Sequence, residues 1–449
     1  MSAPRPRGRR QLPALVVFAG ALGLLVGALA PGCTRDPAEA LRFLVWGTPE
    51  EVRVVQGYLD AFAREHPEVP VQVEHAPSMG FRQKLQTLVR GDNVPDVFYV
   101  NEADCQWLAR DGALLDLTPL VARDRAEVDP DDFFPEVFER FRLDGGLWAI
   151  AKDFTPLVVY ANRDLFDKWD VPWPAPDWTW DDFLATCKAL THPEAEGGAD
   201  WGFLVETWPE ELFPWVWQAG GEVAREDPPA WLMGAPEHLE ASAAGLQFLA
   251  DLIWVHRVAP SPSVTRDQQG SSLFQRGKVG LCTYGRWACM DFKEISRFQW
   301  DVLPLPRGRR PATSTFAVGY GVGRGTRHPE RAWTLVKFLT SRASQEAVAH
   351  SAQAIPVRRS VAASDALRRP RALTERGIEA ASAPFVDQVP FGRFSPRFAA
   401  AAQVKATFQE RVEPLWNGTQ RDARALLEAL QPDLEALIAQ SARPAAPGE

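Results

Sequence analysis

LRFLVWGTPEEVRVVQGYLDAFAREHPEVPVQVEHAPSMGFRQKLQTLVRGDNVPDVFYVN, residues 41–101, alternates two kinds of apolar pattern. Leu41-Arg-Phe-Leu-Val-Trp46 is an apolar run of strand length. Pro49-Glu50-Glu51 opens a helix in which Val52, Val55, Leu59 and Phe62 recur on one face. Val69, Val71 and Val73 alternate as in a half-buried strand. Phe81, Leu85, Leu88 and Val89 mark a second helical face, and Pro95-Asp96 leads into the strand Val97-Phe-Tyr-Val100. Strand, helix, strand, helix, strand in that order predicts an α/β fold: a mainly parallel, doubly wound sheet with helices on both faces. Ligands of such sheets bind beyond the carboxyl ends of the strands. Those ends are Trp46-Gly47-Thr48 and Tyr99-Val100-Asn101-Glu102.

Downstream, Gly145-Gly146 turns the chain into a strand at Leu147–Ile150, and Pro156–Tyr160 begins a second set of elements. A helix is expected from Trp180 to Leu190 with Thr179 as N-cap, and another from Leu239 to Trp254. Val279–Tyr284, Trp300–Pro304 and Thr315–Val322 read as strands, and Pro329 opens a helix through Leu339. The stretch Arg421–Ser441 reads as a helix interrupted near Pro432. Trp215 and Trp217 are expected to pack against the helix that follows them. At 449 residues the chain exceeds what one core fills, so two lobes are expected.

Composition narrows the function. Apolar residues make up 46% and charged residues 24%, which is a folded globular chain. Residues 1–32 hold four arginines and no acid; the rest carries 45 basic against 58 acidic residues, or −13. Such a body repels a phosphate backbone, which argues against nucleic-acid binding. One apolar run reaches membrane-scale length, so the pattern is not that of a polytopic permease. That run, Ala14 to Ala30, follows a basic stretch ending at Arg10 and precedes Pro31-Gly32-Cys33. These are the parts of an export signal over residues 1–32. With a cysteine directly after Gly32 it resembles a bacterial lipoprotein signal, which implies lipidation at Cys33. An uncleaved anchor and simple secretion are the alternatives.

Cys105, Cys187, Cys282 and Cys289 allow three pairings, and the spacing selects none. Cys187 falls on the apolar face of its helix and reads as a buried thiol. The seven histidines show no HxxxH or HxH spacing, so nothing points to zinc. GxGxxG fails at Arg324 and Thr326, and GxSxG and Walker motifs are absent, so no cofactor is expected.

Four stretches carry a family likeness: Trp46-Gly with the helix ending Ala61-Phe-Ala-Arg-Glu-His-Pro67; Gly91-Asp-Asn-Val-Pro-Asp96 with Leu108–Leu117; Tyr160-Ala-Asn-Arg-Asp-Leu-Phe166 with Trp180-Asp-Asp-Phe; and Arg276-Gly-Lys-Val-Gly280 with Tyr284-Gly-Arg-Trp287 and Pro329–Leu339. In order and spacing they resemble the extracellular solute-binding proteins of carbohydrate ABC importers, the maltodextrin-binding group, over about residues 41–360. The resemblance implies two α/β lobes joined by a hinge of crossing strands near Ile150-Ala151 and Leu303-Pro304. Lobe one would hold 38–150 and 305–342, and lobe two 151–304 and 343–440, with a disordered tail at 441–449. It implies a monomer on the extracytoplasmic or periplasmic side of the membrane, held by a lipid anchor. There it would capture a sugar or polyol and deliver it to the permease subunits, without chemistry of its own.

A sugar needs aromatic plates for its C–H face and polar groups for its hydroxyls. Trp46, Glu50, Tyr99 and Asn101 qualify by standing at strand ends or at the helix start. Asp153 and Phe154 follow the first crossing at the expected cleft floor. The resemblance adds Glu206 and Trp208, which flank Thr207 after the strand Gly202-Phe-Leu-Val. It also adds Trp287 and the backbone at Gly319-Tyr320. Arg286 is a candidate for pairing hydroxyls or phosphate, or for the surface. A secreted glycoside hydrolase is the alternative from another class, since Asp153 and Glu206 could serve as its two carboxylates. A ligand-presenting sensor is a third reading.

Overall fold

The structure, a computed structural model, describes residues 40–265, 270–378, 380 and 382–441. The expected signal segment 1–32, the lipidation site Cys33 and the tail beyond Ser441 lie outside the described residues.

The opening stretch folds as its periodicities require. Strands β1 (Leu41–Trp46), β2 (Val71–Ala76) and β3 (Val97–Asn101) pair in parallel, with β1 between the other two. Helices α1 (Pro49–Glu65), α2 (Phe81–Arg90) and α3 (Glu102–Arg110) connect or follow them. α1 buries Val55, Tyr58, Leu59 and Phe62 and begins with a capping box between Thr48 and Glu51. Beyond β3 the chain crosses to a second layer on β4 (Ile150–Pro156) and continues into β5 (Val158–Asn162). β6 (Trp201–Leu204), β7 (Val279–Tyr284) and β8 (Trp300–Leu303) complete a four-stranded sheet in the order β8-β5-β7-β6. The chain then returns on β9 (Thr313–Val322), and the short β10 (Ile355–Pro356) and β11 (Gly392–Phe394) finish the seven-stranded sheet, ordered β10-β4-β9-β3-β1-β2 with β11 beside β9.

Both sheets are mixed rather than mainly parallel. β9 runs antiparallel to β3 and β4, and β5 runs antiparallel to β7 and β8. The reason is the crossing itself: β4 leaves the first sheet and β9 re-enters it, so the two adjacent strands point in opposite directions. The second crossing also lies later than Leu303-Pro304. Leu303, Leu305 and Ala312 are still buried in the second lobe's core, and β9 makes the return.

The stretch 343–440 does not belong to lobe two as a whole. Helix Arg342–Ser351 buries Val348 and Ala349 with the first sheet's core, and Ile355–Pro356 pairs with β4. Helices Ala401–Asn417 and Ala423–Ser441 close the second core. The latter is continuous through Pro432, because Leu427, Leu430, Leu434 and Ile438 anchor it on both sides of the lost hydrogen bond. Trp215 packs on Phe248 of helix Leu239–Trp254 with centroids 5.5 Å apart. Cys105, Cys187, Cys282 and Cys289 are all buried free thiols. No helix among the described residues is long and apolar enough to cross a membrane.

Candidate functional site

Strict strand alternation would send Lys152 and Asp153 to opposite faces of β4. A bulge prevents this. The register pairs Asp153 with Val318 and Ala151 with Gly319, leaving Lys152 without a partner residue on β9. Bulges bend a strand and re-aim its side chains, and here Lys152 and Asp153 line one cavity. They form an ion pair, Nζ donating to Oδ2, at 3% and 5% exposure. The Lys152 carbonyl accepts from Gln345 Nε2 at 2.9 Å, while Gln345 Oε1 accepts from Val357 N at 2.7 Å. The buried Gln345 therefore clamps the bulge from behind. Burial pushes the Lys152 pKa down, but the Asp153 carboxylate outweighs it and holds the ammonium above its ordinary value. The same Nζ stands 5.1 Å from the Tyr99 ring centroid, a cation–π distance.

The cavity encloses about 320 Å³ between the strand ends of the first sheet and the segment after β7. Trp46 stands edge-on to Tyr99 at 5.0 Å and to Phe81 at 4.8 Å, which fixes its plane at one wall. Trp287, Met290 and Asp291 line it from the segment after β7, and Phe316 and Val318 from β9. Trp287 meets Phe316 edge-on at 5.2 Å. Its ring folds back over the chain only because residue 285 is glycine: a Cβ there would lie 2.1 Å from the indole. Thr155 Oγ1 accepts from Arg286 N at 2.9 Å, tying β4 to the same segment. At the rim, Glu51 caps α1 and accepts from Gln353 Nε2 at 2.8 Å, and Asn101 Oδ1 caps α3 through Ala103 N at 2.9 Å.

Of the residues expected from sequence, Trp46, Tyr99, Asn101, Asp153 and Trp287 come together in this cavity. The others do not line it. Phe154 faces away and packs on Phe134 at 4.8 Å, as alternation past Asp153 requires. Gly319 faces the core, where a Cβ would come within 2.8 Å of the Phe141 ring. Tyr320 is buried beneath Tyr99 at 5.7 Å. Glu50 is engaged by the buried Lys293 Nζ at 2.9 Å, an ion pair that joins α1 to the segment after Cys289–Phe292 and lowers the Glu50 pKa. Arg286 is neither in the cleft nor at the surface. It is fully buried, donating from Nη2 to Leu367 O at 3.2 Å and Ser382 Oγ at 3.1 Å. Glu206 accepts from the Tyr284 hydroxyl, and burial raises its pKa. It lines a separate cavity of about 630 Å³ beside Glu410, Glu413 and Trp416 of helix Ala401–Asn417. Trp208 reaches toward the first cavity through Phe316, 5.6 Å away.

Lys152, Thr155, Phe316, Met290, Asp291 and Gln353 also line the cleft and were not singled out from sequence. Phe316 and Val318 were legible in principle, since they alternate with Ala317 and Gly319 along a strand whose other face is core. Lys152 was not, because only the bulge brings it round. No group of three or more His, Cys, Asp or Glu placed to hold a metal occurs among the described residues.

Glu102, next to Asn101, carries a pH signature. It is buried, with its Oε2 accepting from Ala317 N at 3.2 Å, and burial raises its pKa from 4.5 to about 7. Between these values the folded state holds a proton that the unfolded chain has lost, so stability falls as pH rises through this window. Each unit is worth about 1.4 kcal/mol. Glu102→Gln removes that loss. Urea denaturation should show the variant's stability relative to wild type growing by roughly 1–3 kcal/mol from pH 5 to 7.5. A difference independent of pH would show that Glu102 is ionised in the folded protein.

Comparison with known proteins places these features. The model of the bacterial extracellular solute-binding protein family matches residues 46–346. A putative binding protein of Brucella abortus is 23% identical over 331 residues, covering 71% of this chain and 76% of its own length. An ABC substrate-binding protein of Listeria monocytogenes, solved with cycloalternan, superposes with a TM-score of 0.79 at 22% identity, covering 89% of this chain and 99% of its own. UgpB of Mycobacterium tuberculosis, solved with glycerophosphocholine, reaches 0.75 at 18% identity, covering 89% and 98%. The structural likenesses are of fold, whereas the family match takes in both crossing strands and most of the cleft's lining. The two-lobed α/β chain with its interlobe cleft belongs to the bacterial extracellular solute-binding protein family.

Proposed function

We propose that the chain captures a sugar in the cleft between its lobes and delivers it to the permease subunits of an ABC importer. The observation that carries this is the cavity itself: Trp46, Tyr99, Trp287 and Phe316 surround the polar Lys152–Asp153 pair. Flat rings suit the C–H face of a pyranose, and the charged pair suits its hydroxyls. Cycloalternan, the ligand solved with the Listeria monocytogenes protein of this fold, supports the class. On this reading the protein acts as a monomer on the extracytoplasmic face of the membrane, held there by lipid at Cys33. The lobes, joined by β4 and β9, close on the sugar, and the closed shape is what the permease reads.

The hydrolase alternative is disfavoured by the placement of its two carboxylates. Asp153 is paired with Lys152, and Glu206 lines the other cavity. Binding without turnover is therefore expected.

A thermal-shift screen against mono-, di- and oligosaccharides tests the function, because a ligand held only by the folded state raises the melting temperature. A stabilising sugar that remains intact after incubation is the expected result. Absence of a shift from every sugar, or cleavage of one, would remove the reading.

A further inference from the structure

Four charged side chains line the interlobe cavity: Glu51, Lys152, Asp153 and Asp291. The one cation among the described lining residues is already engaged, since Lys152 Nζ is paired with Asp153. Glu51 serves the cap of α1, accepting from Thr48 N at 2.6 Å and from Gln353 Nε2 at 2.8 Å. The N-termini of α1 and α3, which would otherwise favour an anion, are occupied by Thr48 and Asn101 of the chain itself.

A phosphate ester is recognised by free Arg, Lys or backbone N–H groups. Here it would meet an excess of carboxylate, and like charges placed together at a binding surface are strongly unfavourable. A neutral diol meets the opposite situation. An ammonium has three protons and a carboxylate several lone pairs, so their mutual bond leaves both with capacity. One hydroxyl can donate to Asp153 while its neighbour accepts from Lys152. The bulge matters because it sets the two groups side by side in one cavity instead of on opposite faces. The volume of about 320 Å³ lies at the small end of ligand pockets, which suits a compact sugar.

We propose that the bulge-set Lys152–Asp153 pair makes this cleft selective for a compact neutral sugar with adjacent hydroxyls and turns away phosphate esters. The inference rests on the sugar reading above and adds the charge class of the ligand. Lys152 and Asp153 are its specificity-determining residues, and Gln345 positions them by holding the bulge.

Calorimetric titration of the full chain decides it, with glucose, xylose, maltose and trehalose set against glucose 1-phosphate, glucose 6-phosphate and sn-glycerol 3-phosphate. At least one neutral sugar should bind, and every phosphate ester should bind at least about tenfold more weakly than the best of them. This comparison needs no variant. Asp153→Asn keeps an acceptor but frees the ammonium, so it should weaken neutral-sugar binding by about tenfold and strengthen phosphate-ester binding by a similar factor. If a phosphate ester binds wild type as tightly as any neutral sugar, the selectivity is overturned and the sugar reading survives. If no compound of either class binds, the compact-sugar proposal is overturned, and the sugar reading stands or falls on the wider thermal-shift screen. A folded Asp153→Asn variant with unchanged preference would overturn the role of the pair.

Discussion

Asp153→Ala lowers the stability of the folded protein by about 3–5 kcal/mol, which is the cost of removing one partner of a buried ion pair. The loss does not come from the contact alone. With Asp153 gone, Lys152 is left at 3% exposure without its carboxylate, and an uncompensated buried charge is expensive. The Tyr99 ring at 5.1 Å offsets only a small part. The double variant Lys152→Met, Asp153→Ala removes both charges together and should regain most of the loss, since it leaves no unpaired buried charge and the pair itself adds little net stability. Denaturant unfolding of the two single variants and the double completes the cycle. Additive effects would mean that the two side chains do not interact in solution. From sequence alone Asp153 belongs to no periodic core face, and its removal would be expected to spare the fold; the bulge reverses that expectation.

Trp287→Ala weakens sugar binding by about 2 kcal/mol or more, a factor of roughly thirty, with little effect on folding. The indole is half-buried, meets Phe316 edge-on at 5.2 Å and lines the same cavity as Trp46. It is thus held in orientation before the ligand arrives, and a pre-ordered aromatic anchor loses little entropy on binding. Truncation removes the plate and leaves a hole open to water. Titration of the sugar found by thermal shift, alongside an unfolding curve for the variant, separates binding from stability. Wild-type affinity in a folded Trp287→Ala protein would move the sugar away from this residue.

α1 was readable because it buries one face against the sheet, and β1 and β3 because strands buried on both faces read as continuous apolar runs. Trp46, Tyr99 and Asn101 were placed in the cleft by the rule that strand ends of an α/β sheet face ligands, and Asp153 by its position just after the first crossing. Phe154 was misplaced because a side chain beside a cleft residue on a strand points to the other face, and sequence does not say which of two neighbours faces which way. Tyr320 shares the face of Phe316 and Val318 but is covered by Tyr99. Glu50 differs: its place at the helix start was right, but Lys293, 243 residues away, takes up its carboxylate.

Sequence by itself determined the α/β class, the existence of two lobes and the family, because these follow from local periodicity and from motifs in a set order. Tertiary structure alone decided which way the strands run across the hinge, to which lobe the residues after 342 belong, and what charge the cleft presents. The physical reason is distance along the chain. The β4 bulge depends on its register with β9 and on Gln345, 193 residues beyond Lys152, and a one-residue register shift exchanges the two faces of a strand. No local pattern encodes that shift, so only the folded chain places Lys152 beside Asp153 in the cleft.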